Sequence, residues 1–331
     1  MRKASLRRVK PGTKLAKTII DISGRLLLTA GTEIKESYIS RLRNLGVSEI
    51  YIDDDISEGI CVNDVIKETT RIEAKQVLSS IAKDSALSGT INSDSVKNVI
   101  DKMVDELLDN NDIIFNLSDI KTYDGYTFEH SVNVCILSII TGIGLGYNMN
   151  RIRELGVGAL MHDIGKLKVP ENILNKPAKL TSEEFEIIKK HTTDGFEILR
   201  KDKNISKVSA YIALAHHERY DGSGYPFHTK GDNIHQCARV VSVADVYDAL
   251  TSDRIYRKKM KVHEAIEYIV ASAGKHFDKD VVDAFISHIA IYPVGTGVVL
   301  NTGEKGLVVK VHKAAPSQPI VRVIYNEKKR S

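Results

Sequence analysis

The chain has 331 residues, of which 42% are hydrophobic and 27% are charged, and its formal net charge is +4. This balance predicts a full hydrophobic core, and the small net charge argues against a nucleic-acid-binding protein, which needs a concentrated basic face. The three cysteines have no CxxC spacing, as is typical of reduced cytoplasmic thiols. The most apolar stretch, residues 132–147, is shorter than a membrane span and predicts a buried helix. We therefore expect a cytoplasmic protein without a signal peptide and without nucleic-acid or membrane partners.

Residues 1–56 predict a small β-containing N-terminal module. Short apolar runs separated by turn residues near 18–28 are typical of a hairpin or meander. Residues 36–45 have the spacing of a helix that ends at Gly46, and a strand is expected at 47–52. The three consecutive aspartates that follow are interpreted as a solvated loop.

Two further segments lie outside the histidine-rich part of the chain. Residues 57–118 are polar and carry apolar residues at helical spacing, which predicts a connector of one or two amphipathic helices. This connector is expected to pack on the following domain or on a second subunit. Residues 291–331 contain three short apolar runs separated by turn residues, which predict a small β appendage.

Residues 119–290 contain ten of the eleven histidines and long helical patterns. Thr181 and Glu184 form a capping-box pattern, so a helix is expected to begin after Thr181 and to run to about His191. Helical patterns also predict further helices at 206–217, 237–252, 262–272 and 279–289. The predicted fold class is therefore mainly α, with a helical catalytic domain, a small β-containing N-terminal module and a short β C-terminal appendage.

The adjacent pair His162-Asp163 follows an apolar helical pattern and is the central candidate for chemistry. An imidazole and a carboxylate are ligands that divalent metals accept. Gly165 is expected to end the helix and to let Lys166 turn back toward the site, where its ammonium could hold a phosphate. Two residues alone are weak evidence, because a His-Asp pair often occurs by chance.

Further histidines and a carboxylate strengthen the interpretation: His130, His191, the tandem pair His216-His217, and Asp245. Neighbouring residues on a helix point about 100° apart. The tandem histidines are therefore expected to divide between two ions rather than to bind one. The pattern favours a two-metal site.

With this set of residues, the chain resembles the HD-GYP subgroup of the HD phosphohydrolase superfamily. The naming motifs stand here as His162-Asp163 and Gly224-Tyr225-Pro226, and the resemblance covers about residues 119–290, half of the chain. Two N-terminal segments, 9–15 and 26–31, also resemble a module often joined to such domains. The combined pattern is highly specific.

The resemblance implies a mostly helical catalytic domain with two divalent metal ions, iron or manganese ranked first. It implies that Asp163 bridges the ions, and that the complete ligand set is His130, His162, Asp163, His191, His216, His217 and Asp245. It also implies phosphate or guanine contacts from Lys166, Tyr225, Arg254 and Arg257. Two positions depart from the family pattern: Ile255 stands where proline is common, and Tyr126 stands where some relatives have a glutamate for a third metal. We therefore predict a dinuclear site.

The function that the resemblance implies is hydrolysis of cyclic di-GMP to pGpG by a metal-bridging hydroxide, with Asp163 and Lys166 as catalytic residues. Further cleavage to GMP is left open. One alternative is hydrolysis of another cyclic dinucleotide. Another is a cyclic-di-GMP receptor or adaptor with little turnover, in which the N-terminal module contacts a protein partner or a second copy of the chain.

Several polar residues near the motifs receive structural interpretations. Glu129 is expected to face solvent, and Glu218 to support the site from behind or to form a surface salt bridge. Residues 221–224 are expected to form a loop that faces the substrate. The remaining histidines are interpreted as structural: His228, His235, His263, His276, His288 and His312.

Overall fold

A computed structural model of the chain describes residues 1–20, 26–62, 64–87, 91–109, 126–252, 259–312 and 315–325. These residues divide into two compact units. One unit contains the described parts of Met1–Val65 and Ile289–Ser331, and the other those of Ile66–Ile113 and Thr127–His288. The fold is mainly helical with small sheets from both ends of the chain, which confirms the predicted class.

The N-terminal part of the first unit contains helix α1 (Glu36–Asn44) and the strands β1 (Arg2–Ser5), β2 (Lys14–Leu15), β3 (Ile19–Ile20), β4 (Leu26–Leu28) and β5 (Glu49–Asp53). Strand β5 is the middle strand of a sheet and runs antiparallel to β1 and β2. Leu15, Ile34 and Ile50 are fully buried in the core beneath it. The predicted helix at 36–45 and strand at 47–52 are confirmed.

The C-terminal part of the same unit is an antiparallel sheet of β6 (Gly297–Val299), β7 (Lys305–His312) and β8 (Ala315–Tyr325). The backbone N–H of Lys3 donates to the carbonyl oxygen of Gly295 at 3.1 Å. The Arg322 guanidinium donates to the carbonyl oxygen of Glu58 at 2.7 Å. Both ends of the chain therefore contribute to one compact unit.

The aspartates at 53–55 are not simply a solvated loop, so that interpretation was wrong. The Asp54 carboxylate caps the short 3-10 helix Asp55–Ser57 and lies 2.7 Å from a guanidinium nitrogen of Arg2. Burial opposes ionisation, but hydrogen bonds from Arg2 and Ser57 lower the pKa of Asp54. Asp54 therefore has a partner, Arg2, that is distant in sequence, and a local pattern does not show such a pair.

The second unit is built from α2 (Glu68–Leu87), α3 (Ser93–Leu108), α4 (Tyr126–Gly144), α5 (Met149–Leu160), α6 (Glu171–Leu174), α7 (Ser182–Leu199), α8 (Lys207–Ala215), α9 (Gln236–Thr251), α10 (Val262–Ala271) and α11 (Lys279–Ile286). Helix α4 is buried around nearly its whole circumference from Val132 to Ile140. This explains the continuous apolar run of the sequence. Among the residues that the structure describes, none of the helices has the length and apolar character to cross a bilayer.

Helix α7 begins as predicted but continues further. Thr181 and Glu184 form the predicted capping box. The predicted end near His191 was wrong, because α7 runs on to Leu199. The face of Thr192, Gly195 and Leu199 is buried, and tertiary packing of this face outweighs the weak helix propensity of the local sequence.

Candidate metal centre

Five imidazoles and two carboxylates that are far apart in the sequence meet inside the second unit. They come from α4, the end of α5, α7, the end of α8, and α9. One group consists of Asp163, His191, His216 and His217, and a second group consists of His130, His162 and Asp245. Within each group the candidate ligand atoms all lie within 4.8 Å of one another.

Asp163 belongs to the first group and also faces the second, with a different carboxylate oxygen toward each. Its Oδ1 lies 3.5 Å from His191 Nε2 and 3.8 Å from His216 Nε2. Its Oδ2 lies 3.2 Å from His162 Nε2 and 3.8 Å from His130 Nε2. This is the arrangement that a carboxylate shared by two cations requires.

The end of α5 positions the His-Asp pair. Met161 is the C-cap of α5, and a 3-10 helix, Ile164–Lys168, follows directly after Asp163. Gly165 lies against the backbone of α7, where an added Cβ would overlap the carbonyl oxygen of His191 and approach Gly195 N to 2.5 Å. Glycine at this position therefore lets α7 bring His191 close to Asp163.

The tandem histidines lie at the end of a helix rather than within one. Helix α8 ends at Ala215, and His216 is its C-cap. The rings of His216 and His217 have centroids 4.1 Å apart and belong to the same group. The expectation that they divide between two ions was wrong, because the 100° spacing of a continuous helix does not apply beyond the helix end.

Three histidines have their orientation fixed by backbone carbonyl groups. The Nδ1 atoms of His162, His191 and His216 lie 2.8, 2.6 and 2.9 Å from the carbonyl oxygens of Ala159, Ile188 and Ala213. A carbonyl oxygen only accepts, so each Nδ1 carries a proton, and in the neutral form of each ring the lone pair is on Nε2. Such outer hydrogen bonds fix the tautomer of metal-binding histidines.

The electrostatics of the site leave several imidazoles neutral and both carboxylates charged. Burial and the neighbouring His217 lower the pKa of His216, and burial lowers the pKa of His217 to about 3. Burial alone would raise the pKa of Asp163, but His162 and Lys166 hold it well below its ordinary value. In the same way, a hydrogen bond from His130 outweighs burial and lowers the pKa of Asp245.

His130 differs from the other imidazoles because carboxylates flank both of its nitrogens. Its Nε2 lies 3.0 Å from Asp245 Oδ1, and its Nδ1 lies 2.8 Å from Asp248 Oδ2. Burial opposes protonation, but these hydrogen bonds raise the pKa of His130 to about 9. A cation that binds His130 Nε2 must therefore displace the proton on this nitrogen, while Asp248 continues to accept from Nδ1–H.

The donor atoms fit divalent cations. His162 Nε2 and Asp163 Oδ1 are buried and make no hydrogen bond within the described part of the chain. The Nε2 atoms of His191 and His216 face each other at 3.4 Å, although both carry lone pairs. Buried polar atoms without partners are costly, and a bound cation would satisfy them. Imidazole nitrogens with carboxylate oxygens suit divalent metals, so the cluster has the donor atoms that a divalent-metal site needs.

Of the four residues predicted to contact substrate, Lys166 and Tyr225 are among the described residues. Lys166 Nζ lies 2.5 Å from Asp163 Oδ2, and the Lys166 side chain is partly exposed. The Tyr225 ring lies 4.8 Å from the His217 ring at an angle of 32°. Arg254, Ile255 and Arg257 lie outside the described residues, as does the side chain of Tyr126. The substrate contacts of Arg254 and Arg257 and the dinuclear site argued from Tyr126 therefore stay predictions.

Glu218 has a role that the sequence interpretation missed. It is buried, and its two carboxylate oxygens accept from the backbone N–H groups of Phe227 at 2.7 Å and Thr229 at 3.1 Å. It therefore holds the segment after Gly224-Tyr225-Pro226 in place. Among the described residues it forms neither a surface salt bridge nor a hydrogen bond to a candidate metal ligand. At Gly224 an added Cβ would lie 2.5 Å from Glu218 Cα, which requires glycine at this turn.

Substitution of Glu218 by alanine is expected to lower the free energy of unfolding by about 1–3 kcal/mol, because two backbone donors lose their acceptor. Chemical denaturation measures this change. Glu197→Ala is the matched control, since Glu197 pairs with Arg200 in an exposed position and should contribute less than about 0.5 kcal/mol. Equal losses in the two variants would contradict the role assigned to Glu218.

Two further residues were missed or misplaced by sequence reasoning. Glu129 does not face solvent, because its carboxylate lies 2.9 Å from Lys75 Nζ and its side chain is mostly buried. Asp248 was not singled out, although it is fully buried and bonds to His130. Its spacing of three residues from Asp245 is the signal that could have found it, since such residues share a helix face.

Comparison with known proteins identifies the class. Residues 134–281 match the family described as the HD domain, and residues 297–331 match a KOW domain associated with the HD domain. The chain therefore contains an HD domain. It also carries the His-Asp and Gly-Tyr-Pro motifs on which the resemblance to the HD-GYP family rests.

Three relatives illustrate the similarity. The chain is 38% identical over 253 residues to "Cyclic di-GMP phosphodiesterase PA4108" of Pseudomonas aeruginosa, which covers 76% of this chain and 61% of the relative. It is 43% identical over 143 residues to "Cyclic di-GMP phosphodiesterase response regulator RpfG" of Xanthomonas campestris, covering 43% and 38%. It is 40% identical over 129 residues to "3'3'-cGAMP-specific phosphodiesterase 2" of Vibrio cholerae, covering 39% and 25%. The chain thus spans less than two thirds of the length of each.

Proposed function

We propose that the chain hydrolyses cyclic di-GMP to linear pGpG at the metal centre. The observation that carries this proposal is Asp163, whose two oxygens face two separate groups of candidate metal ligands. The relatives named as cyclic di-GMP phosphodiesterases support the choice of substrate. Further cleavage of pGpG to GMP is a second step that the same assay tests.

The proposed ligand set is His130, His162, Asp163, His191, His216, His217 and Asp245, with Asp163 shared. Two divalent ions held there would supply hydroxide near neutral pH and polarise the phosphoryl oxygen. The absence of thiolate ligands from this set is compatible with iron or manganese, which we rank first. The five imidazoles and two carboxylates would hold these ions in fixed positions relative to the scissile phosphate.

The substrate contacts are proposed from charge and position. The Lys166 ammonium lies beside Asp163 and is partly exposed, so it could offset charge on the non-bridging phosphate oxygens. The Tyr225 ring packs on His217 next to the cluster, where it could contact a guanine base. Arg254 and Arg257 are proposed to contact phosphate or guanine on the strength of the sequence pattern alone.

A second candidate substrate is 3'3'-cGAMP, because one relative of comparable identity is named for it. Both dinucleotides present a phosphodiester to the metal centre, and they differ in one purine base. The residues that contact that base therefore decide between them. The described residues do not include Arg254 and Arg257, which are the proposed guanine contacts.

A substrate panel tests the proposal. Protein loaded anaerobically with Fe²⁺ or Mn²⁺ is incubated with cyclic di-GMP, 3'3'-cGAMP and cyclic di-AMP, and products are separated by chromatography. We expect pGpG from cyclic di-GMP and no product after chelation of the metal. Metal-loaded protein that binds cyclic di-GMP without releasing product would instead favour the receptor or adaptor alternative.

Two wider properties belong to the proposal. A homodimer or a protein partner that contacts residues 1–56 is expected, and light scattering with size-exclusion chromatography measures the oligomeric state. A cytoplasmic location is compatible with the three cysteines, none of which forms a disulfide among the described residues.

A further inference from the structure

We propose that helix α2, which lies outside the residues that match the HD domain family, positions His130 for metal binding through Arg71. An Arg71 Nη1 donates to Asn133 Oδ1 at 3.0 Å. Asn133 Nδ2 donates to Asp248 Oδ1 at 3.0 Å. Asp248 Oδ2 in turn bonds to His130 Nδ1 at 2.8 Å. The relay therefore joins α2 to α4 and α9 and ends on a candidate metal ligand.

All members of this relay are buried. Arg71 is 3% exposed, Asn133 1%, Asp248 0% and His130 3%. Burial of charged groups is costly, and apolar side chains of similar size would stabilise helix packing at least as well. The side chains that are present instead form a connected set of hydrogen bonds. Such sets specify orientation, and the orientation specified here is that of the His130 ring.

Arg71 and Asp248 hold the Asn133 amide from its two ends. The guanidinium only donates and the carboxylate only accepts, so the amide oxygen faces Arg71 and the amide nitrogen faces Asp248. Without Arg71 the buried amide oxygen loses its donor, and the Asn133 side chain is held at one end only. Asn133 would then hold Asp248 less firmly, and the position of Asp248 against His130 Nδ1 would be less well fixed.

The surroundings of Arg71 keep its charge compensated at the other end of the relay. Its Nη1 lies 3.8 Å from Glu129 Oε1, and Lys75 Nζ lies 2.9 Å from Glu129 Oε2. Helices α2 and α4 are therefore joined by polar contacts on the face of α4 that also carries Asn133. A displacement of α2 would break the relay and lower the affinity for a metal ion of the group formed by His130, His162 and Asp245.

The test is metal binding rather than turnover. Arg71→Met is titrated with Mn²⁺ by calorimetry, and the bound metal is counted. We expect two ions in the wild type, and in the variant a loss of about 10- to 100-fold in affinity for one ion only. A merely structural role would lower stability without a selective effect on one ion. Arg71→Lys, which keeps the charge and a donor, should recover part of the affinity.

Lys102→Met is the matched control, since Lys102 pairs with Glu73 of α2 in an exposed position, and it should bind both ions like the wild type. If Arg71→Met does not fold, Asn133→Leu interrupts the same relay with a side chain of similar volume and should show the same selective loss. Wild-type affinity for both ions in these variants would overturn the inference.

The inference rests on the metal centre of the proposed function, but the two fail differently. Wild-type protein that binds two ions and cleaves no cyclic dinucleotide would remove the proposed activity and leave the role of Arg71 intact. Wild-type protein that binds no divalent ion would overturn both.

Discussion

Asp163→Asn is expected to lower the rate of cyclic di-GMP hydrolysis by about 1,000-fold or more, because several kcal/mol of charge stabilisation depend on the metal pair. The substitution keeps the shape of the side chain but removes its charge. It also turns one acceptor into an N–H donor that faces either the His162 side or the His191 side of the cluster. Turnover under saturating substrate measures the loss, and metal analysis should show fewer than two bound ions.

The control for this variant is Asp101→Asn. Asp101 pairs with Arg153 at the surface, at 2.6 Å and with both side chains about half exposed. Surface pairs of this kind contribute little, so the control should retain wild-type turnover and metal content. Asp163→Asn with two bound ions and turnover within tenfold of the wild type would refute a shared carboxylate at this position.

Gly165→Ala is expected to lower the free energy of unfolding by about 3 kcal/mol or to prevent α7 from packing, since the new methyl group would overlap backbone atoms. The overlap is with the carbonyl oxygen of His191, and Gly195 N lies 2.5 Å away. Neither can turn aside as a flexible side chain would. Chemical denaturation measures the stability, and metal titration should show weaker binding because His191 moves away from Asp163.

Gly297→Ala separates this effect from a general response to alanine at glycine positions. Gly297 is exposed in β6, has no heavy atom within 4 Å of an added Cβ, and lies in the other unit. It should unfold within about 0.5 kcal/mol of the wild type and keep full metal binding. Comparable effects in both variants would show that the close approach of Gly165 to α7 is unimportant.

Much of the site was predictable because its residue types are unusual and their order is informative. His130, His162 and His191 were predicted from their residue type and from their order relative to the His-Asp and Gly-Tyr-Pro motifs. The capping box at Thr181 is a local pattern and was likewise predictable. The mainly helical fold class was predictable from long stretches of helical spacing, which are the most reliable signal in a sequence.

The supporting contacts were not predictable, because their partners are distant in sequence. Lys75 and Glu129 are 54 residues apart, and His130 and Asp248 are 118 apart. The role of Glu218 depends on backbone N–H groups, which have no sequence signature. The arrangement of His216 and His217 depends on where α8 ends, and helix ends are the least reliable part of a sequence prediction.

The joint origin of the first unit from both chain ends affects how the protein can be shortened. Strands β1 and β5 precede the helical unit, β6 to β8 follow it, and the hydrogen bond from Lys3 to Gly295 links the two segments. Deletion of only one terminal segment would leave the other without the residues that it packs against. The apolar surface exposed in this way would favour aggregation. An expression series aimed at the helical unit should therefore trim both termini together, to residues 66 and 288.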